Sequence, residues 1–455
     1  MGVSPGIFRE YDIRGVVDQD LTEEAAEQIG TAFGTMVRRK GGTRVTSGRD
    51  GRLHSERLQN SLIRGILKSG IDVVDIGECP TPVLYFSIFH LGAHGGIQVT
   101  GSHNPPEFNG LKMCVGTSTI YGESIARLRE MILKGDLDSG SGQLTSQDVI
   151  TPYLAYLKEN IRMERPLKVV LDCGNGVAAL TAPRAFEDAG CSVSPLYCEV
   201  DGTFPNHHPD PTVMENLEDM KKRVLEVGAD IGIAFDGDGD RIGVVDERAQ
   251  VIYGDKILLY LARDLLRHHP GATVIGEVKC SHILYDDIAR HGGRPVMWKT
   301  GHSLIKQKMK ETGALLAGEM SGHIFFADRF FGFDDATYAA LRVAEILSRS
   351  DRPLSSYFSD LPKTWSTPEI RVDCPEEFKF QIVERARKWF SRRYETIDVD
   401  GVRIVFPDGW GLIRASNTQP VLVLRFEADS PERLEEIRGL VEGRLKEIRD
   451  EVEKA

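Results

Sequence analysis

Three similar α/β domains with mixed, mainly parallel sheets, followed by a smaller C-terminal α+β domain, form the architecture this sequence predicts. Three observations predict it. A chain of 455 residues is too long for one ordinary hydrophobic core. A strand, loop, helix, glycine, strand pattern recurs three times at domain-length intervals, which is duplication of whole domains rather than a solenoid. Beyond about residue 365 the alternation changes character.

The first copy runs TRVTSGRDG, a helix from about Ser55 to Ser69, Gly70, then IDVVDIG. The second runs LKVVLDCGNG, a helix to about Ala189, Gly190, then CSVSPLY. The third runs ATVIGEVKC, a helix to about Arg290, Gly292 and Gly293, then RPVMWKTG. Glycine after each helix suits a left-handed cap, and the apolar, β-branched runs suit strands buried on both faces of a parallel sheet.

Three linkers divide the chain. SGSGQLTSQD is polar and Gly/Ser-rich, a turn follows GVVDERAQ, and SRSDRPLSSYFSDLP leads into TWSTPEIRVDCPE, where Pro368 stiffens the join. The expected domains are therefore 1–148, 149–250, 251–364 and 365–455. The last reads as a strand, a helix from Pro375 to Arg393, the strands VRIVF, GLIRAS and VLVLRFEA, and a charged C-terminal helix.

Composition excludes several function classes. Lys and Arg total 56 against 68 Asp and Glu, so a net charge of −12 argues against nucleic acid or an anionic membrane as partner. The start carries no basic and apolar signal pattern and no stretch suits a membrane span, so a cytoplasmic protein is expected. Seven cysteines, an odd number with no CxxC, read as reduced thiols and not as metal ligands. Neither a Walker A sequence nor GxGxxG occurs, against nucleotide-dependent chemistry.

Four motifs carry chemistry. TGSHNPPEFNGLK, 100–112, presents Ser102 after an apolar run, on a tight loop where an exposed nucleophile is expected; an Asn-Pro turn with a solvated serine is the bland alternative. In FDGDGDR, two apolar strands flank Asp236, Asp238 and Asp240, whose carboxylates repel unless a cation lies among them; all-oxygen ligands suit Mg²⁺ or Ca²⁺. An EF-hand would use Glu247 as its twelfth residue, but Arg241 stands where that loop needs glycine. GEMSGH, 318–323, offers Glu319, Ser321 and His323 to sugar hydroxyls and proton transfer, or is a solvated loop with a chance histidine. RASNT supplies Arg414, Ser416, Asn417 and Thr418, either a phosphate cradle or a polar hairpin turn. The four lie in four successive domains and together outline a central cleft.

FREYDIRG, TGSHNPPEFNG, DGDGDR, GEMSGH and RASNT, in this order over nearly the whole chain, resemble the bacterial phosphomannomutase/phosphoglucomutase branch of the α-D-phosphohexomutase superfamily. The resemblance implies interconversion of hexose 1- and 6-phosphates through a phosphoserine at Ser102 and a 1,6-bisphosphosugar. Glucose 1,6-bisphosphate would act as activator. It implies Mg²⁺ held by Ser102 and by Asp236, Asp238 and Asp240, with Arg14, Lys112, Arg241 and His323 lining the reaction centre. Substrate contacts would come from Tyr11, Lys279, His302, from Glu319, Met320, Ser321 and Gly322, and from Arg414, Ala415, Ser416, Asn417 and Thr418. The glucosamine-specific branch typically has Gln where Met320 stands, so mannose and glucose phosphates are favoured. A monomer whose C-terminal domain swings near Pro368 to close the cleft is expected. A metal-dependent sugar phosphatase is the rival enzyme class.

Overall fold

The computed structural model describes residues 3–417 and 419–453. The first sheet pairs Ile13–Val16, Phe108–Val115, Gly95–Val99, Arg44–Arg49, Asp72–Glu78 and Leu144–Ser146 in that order. Gly95–Val99, Arg44–Arg49, Asp72–Glu78 and Leu144–Ser146 run parallel, and the strands at the other side are antiparallel. The second sheet sets Val251–Ile252 and Ile242–Asp246 antiparallel beside a parallel trio, Ile231–Phe235, Lys168–Asp172 and Ser192–Leu196. The third joins Arg294–Trp298, Thr273–Glu277 and Leu316–Gly318 in parallel, with Ile324–Phe326 antiparallel. The fourth is antiparallel throughout, its centre Val402–Phe406, Gly409–Ala415 and Val421–Ala428.

The repeated pattern folds as read. Its helices are Ser55–Lys68, Ala182–Asp188 and His282–Arg290. Each returns through a left-handed glycine, with φ of +87° at Gly70 and Gly190 and +79° at Gly292, conformations that cost glycine little. In every copy the two flanking strands pair in parallel. In copies two and three, however, the second strand is a half-exposed sheet edge, not a strand buried on both faces.

Two linkers differ from expectation. Leu144–Ser146, inside the polar stretch 139–148, adds a parallel edge strand to the first sheet because backbone pairing to Asp72–Glu78 needs no apolar side chain. Val251–Ile252 still belongs to the second sheet, so its hairpin carries that unit past residue 250.

The three α/β units share one buried cluster containing Val83, Tyr153, Phe186, Leu258 and Tyr338. The C-terminal unit has its own core, around Ile382, Phe390, Ile404 and Phe426. It docks on the third unit through Trp410 and Leu412 against Val278, and through Arg403, whose Nη1 donates to the carbonyls of Val278 and Cys280, both at 2.7 Å.

Candidate active site

Ser102 sits where the strand Gly95–Val99 turns toward Phe108–Val115. It adopts a left-handed φ of 47° and is 3% exposed, so the expectation of an exposed serine fails. The covering comes from the second unit. A Cβ at Gly237 would lie 2.4 Å from the Ser102 carbonyl, and His208 Nε2 is 2.5 Å from the His103 carbonyl. Only glycine at 237 permits that approach.

A residue the sequence reading missed builds this loop. Arg52, buried at the end of RDGR, donates from Nη2 to the carbonyls of Ser102 (2.9 Å) and Asn104 (2.6 Å) and from Nη1 to those of Pro105 (2.7 Å) and Phe108 (3.1 Å). Asp50 pairs with Arg52 Nε at 3.3 Å and accepts from the Gly101 amide at 2.9 Å. Burial draws the Arg52 guanidinium pKa down while Asp50 opposes the shift.

The aspartate loop closes the hairpin of Ile231–Phe235 and Ile242–Asp246, with all three carboxylates fully buried. One oxygen from each lies within 4.8 Å of the others. Ser102 Oγ donates to Asp236 Oδ2 at 2.8 Å and is 3.1 Å from His103 Nδ1. Lys112, from Phe108–Val115, reaches across with Nζ 2.7 Å from Asp238 Oδ2 and also bonded to Asp240 Oδ2. Thr81 donates its hydroxyl to Asp238 Oδ2 at 2.5 Å and its amide to the Asp238 carbonyl at 2.9 Å.

Burial, with Asp238 and Asp240 beside it, raises the Asp236 pKa well above the carboxylate range. Burial pushes Asp238 the same way, but the charge and hydrogen bond of Lys112 overcome it and hold Asp238 low. The two lysine-bound carboxylates each keep Oδ1 buried without a hydrogen bond. Three converging buried carboxylates with unsatisfied oxygens suit a hard divalent cation. Glu247 lies apart, its Oε2 accepting from the Ser355 amide at 3.2 Å, so the loop is not an EF-hand.

His323, after GEMSG, accepts on Nε2 from Arg241 Nε at 2.9 Å. Its Nδ1 is 3.1 Å from Asp334 Oδ2 and 3.6 Å from Asp240 Oδ1. His302 stacks on His323 with ring centroids 5.6 Å apart, and its Nδ1 is 3.7 Å from Asp334 Oδ2. Lys306 holds the other Asp334 oxygen at 2.9 Å. Asp334 thus gathers three cationic or imidazole groups, and the sequence reading did not single it out. Arg14 completes this side, donating to Asp12 Oδ2 at 2.8 Å and to Asn104 Oδ1 at 3.4 Å.

A second set of residues surrounds Glu277, also missed. Its Oε2 accepts from the Lys279 amide and the Thr300 hydroxyl, both at 2.8 Å, and its Oε1 accepts from the Met320 amide at 3.3 Å. One carboxylate therefore ties together the segments carrying Lys279, His302 and Glu319 to Ser321. Glu319 is buried and accepts from the Gly301 amide at 2.6 Å, while the Gly322 amide donates back to the Glu319 carbonyl at 3.1 Å. Lys279 Nζ meets Glu369 Oε2 at 3.1 Å.

The C-terminal loop arrives from the last sheet. Arg414 and Ala415 end Gly409–Ala415, Arg414 Nε donates to Asp400 Oδ2 at 3.0 Å, and Ser416 Oγ accepts from the Gln419 amide at 3.1 Å. Asn417 Nδ2 donates to the Tyr11 hydroxyl at 2.5 Å, and that hydroxyl donates to the Thr300 carbonyl at 2.9 Å. Thr418 lies outside the described residues. The remaining predicted residues converge from four units into two joined sets. Ser102, the aspartates and His323 form one; Tyr11, Lys279, Glu319 and Arg414 form the other, linked through 319–323.

Four consecutive segments match models of one family: phosphoglucomutase/phosphomannomutase alpha/beta/alpha domain I at 5–138, domain II at 151–250, domain III at 253–365, and the C-terminal domain at 369–443. The chain belongs to the phosphoglucomutase/phosphomannomutase family. A phosphomannomutase/phosphoglucomutase of Pseudomonas aeruginosa is 52% identical over 97% of this chain and 96% of its own length. A phosphoglucomutase of Neisseria meningitidis serogroup A is 46% identical, with 96% of each chain covered. The crystal structure of a family protein from Burkholderia thailandensis superposes with a TM-score of 0.93 at 44% identity, covering 98% of each chain. No helix among the described residues is long and apolar enough to cross a membrane.

Proposed function

We propose that this chain interconverts hexose 1-phosphates and hexose 6-phosphates, with mannose and glucose as the sugars, through a phosphorylated Ser102. One observation carries the residue assignment: Ser102 Oγ hydrogen-bonds Asp236 inside a buried cluster where Lys112 bridges the other two aspartates. A phosphoryl group on Ser102 would bring a charge of about −1.5 to −2 into that cluster. Asp236, Asp238 and Asp240, with the Ser102 oxygens, would hold Mg²⁺, which when bound neutralises the transferring group's charge.

In the first half-reaction, phosphoserine gives its phosphoryl group to the free hydroxyl of the monophosphosugar, forming a 1,6-bisphosphosugar. After that intermediate turns end for end, Ser102 takes back the other phosphoryl group. Glucose 1,6-bisphosphate would recharge an unphosphorylated enzyme. Lys112, Arg14 and Arg241 stabilise charge on the moving group, which is most of what a loose phosphoryl-transfer transition state requires. We assign movement of the hydroxyl proton to His323, a reading supported by Asp334 Oδ2 lying 3.1 Å from its Nδ1 and by Arg241, whose Nε donates to its Nε2 and would have to release that nitrogen to the substrate. Arg414, Ser416, Asn417 and Thr418 with Tyr11 grip the non-reacting phosphate, and Lys279, His302, Glu319, Met320, Ser321 and Gly322 hold the sugar in both orientations. All four loops come from one chain, so a monomer suffices.

Turnover of mannose, glucose and glucosamine 1-phosphates, with Mg²⁺ and trace glucose 1,6-bisphosphate, tests the reading against Ser102→Ala. Formation of 6-phosphates from the first two, lost in the variant, is expected. Release of free phosphate as the sole product would instead identify a phosphatase.

A further inference from the structure

The thiols of Cys173 and Cys198 stand 3.2 Å apart, sulfur to sulfur, in the second unit. They follow adjacent parallel strands, Lys168–Asp172 and Ser192–Leu196. Backbone bonds hold the two loops together: the Cys173 amide donates to the Leu196 carbonyl at 3.1 Å and the Asn175 amide to the Tyr197 carbonyl at 2.9 Å. Tyr197 and Asn175 both adopt left-handed backbone, with φ of 52° and 58°. Non-glycine residues hold that geometry only where their surroundings fix it, so the sulfurs face each other within a defined frame.

The two thiols differ in access. Cys173 is buried and Cys198 is partly exposed. The hydrogen bond between the two sulfurs lowers the Cys198 pKa, whereas burial and its neighbour push Cys173 well up. Burial also raises Cys79 to about 12 and Cys191 to about 11, and raises Cys114 and Cys280. A thiol prone to oxidation combines thiolate character, access and a nearby resolving partner. Cys198 has all three.

We infer that Cys198 and Cys173 are a peroxide-sensitive pair that closes to a reversible disulfide. The Cys198 thiolate attacks one oxygen of a hydroperoxide; a sulfur–oxygen bond forms, the oxygen–oxygen bond breaks, and hydroxide or alkoxide leaves to take up a proton. The Cys173 sulfur then attacks the resulting sulfenic acid; the disulfide forms, the sulfur–oxygen bond breaks, and hydroxide leaves with the Cys173 proton as water. Two thiols are oxidised by two electrons and the peroxide is reduced by two. The crosslink lies beside the proposed active site, because the same loop continues to Val177, whose amide donates to the Gly237 carbonyl of the aspartate loop at 3.1 Å.

The test treats the native full-length protein with a few equivalents of hydrogen peroxide, removes the peroxide, denatures, alkylates with iodoacetamide and maps peptides by mass spectrometry. Of the seven cysteines, five are expected to be alkylated and two to appear in a single peptide pair joining Cys173 to Cys198. Dithiothreitol should restore seven. Cys198→Ser should show no disulfide, and Cys191→Ser should form it undiminished. Seven alkylated thiols after peroxide, sulfinic acid at Cys198 as the main product, or a bond between any other pair would overturn the inference.

Discussion

Arg52 Nη2 lies 2.9 Å from the carbonyl oxygen of Ser102, and that guanidinium also binds three further carbonyls of the same loop. The proposed nucleophile is therefore carried on a frame of buried charge supplied by the neighbouring strand end, not on its own turn. Arg52→Met would leave those carbonyls and Asp50 without their partner, and breaking a buried ion pair costs about 3–5 kcal/mol. The expected outcome is a lower melting temperature and a fall in kcat of two orders of magnitude or more. Arg52→Lys, which keeps the charge and loses the fork, should recover most of the stability but little of the kcat. Calorimetry and steady-state kinetics on both variants check this; equal losses of stability and kcat recovered together by lysine would show a role in folding alone.

Lys112 occupies the space between Asp238 and Asp240. Lys112→Met should destabilise the metal-free protein, since two buried carboxylates lose their counter-charge. It should also enlarge the stabilisation that Mg²⁺ provides, because the cation then meets an uncompensated site. A ligand at one hundred times its Kd stabilises by about 2.7 kcal/mol, a shift that scanning calorimetry with Mg²⁺ against EDTA resolves. A smaller Mg²⁺ shift in the variant than in the wild type would contradict this placement of the metal. Mutase activity should be lost in the variant regardless.

How much of this was legible beforehand follows from which contacts are local. The three repeats were readable because strand, helix and cap are written in consecutive residues, down to Gly70, Gly190 and Gly292. The four loops were readable because clusters such as DGDGDR are unusual as plain turns. Arg52, Glu277 and Asp334 were not, since none of them stands in a recognisable motif and each owes its role to partners outside its own loop. Arg52 reaches Ser102 because Arg44–Arg49 happens to pair with Gly95–Val99. Ser102's burial was hidden for a similar reason, as its cover is Gly237 of another unit.

The join between the third and fourth units contains a pH-dependent pair. Glu427 Oε1 meets His282 Nδ1 at 2.9 Å and accepts from Ser281 Oγ at 2.8 Å and Trp410 Nε1 at 2.9 Å. The hydrogen bond to Glu427 raises the His282 pKa above 6.5. Burial pushes Glu427 up, but its bonds to His282, Trp410 and Ser281 win and bring it to about 2. The histidine contribution is complete below the unfolded pKa of about 6.5 and is lost as pH rises through the raised folded value; the glutamate contribution is complete above about 4.5 and is lost as pH falls toward about 2. Stability of the docked fourth unit should therefore peak between about pH 5 and 6. His282→Ala should flatten the alkaline decline and also shrink the acid one, since His282 is the largest of the groups that hold Glu427 low, leaving the part supplied by Trp410 and Ser281. Thermal unfolding measured across pH tests both arms, and an unchanged alkaline slope in the variant would rule the pair out as its source.

The expected closing motion of the C-terminal unit has a specific catch. On the side of the third unit the contact is broad and buried, through Trp410, Leu412, Arg403 and Glu427. Toward the first unit it includes the hydrogen bond from Asn417 to the Tyr11 hydroxyl. The C-terminal unit has a core of its own and a proline at its entry, so a hinge at that join would carry it as one body against the other three units. Tyr11→Phe removes the catch without altering either core. The variant should open further in the absence of substrate, giving a larger radius of gyration by small-angle scattering, and its KM for hexose 1-phosphate should rise several-fold with a smaller change in kcat. Adding substrate should contract the wild-type protein. Superimposable scattering profiles with and without substrate, in both proteins, would mean that the cleft does not close by this motion and that Tyr11 acts only as a phosphate contact.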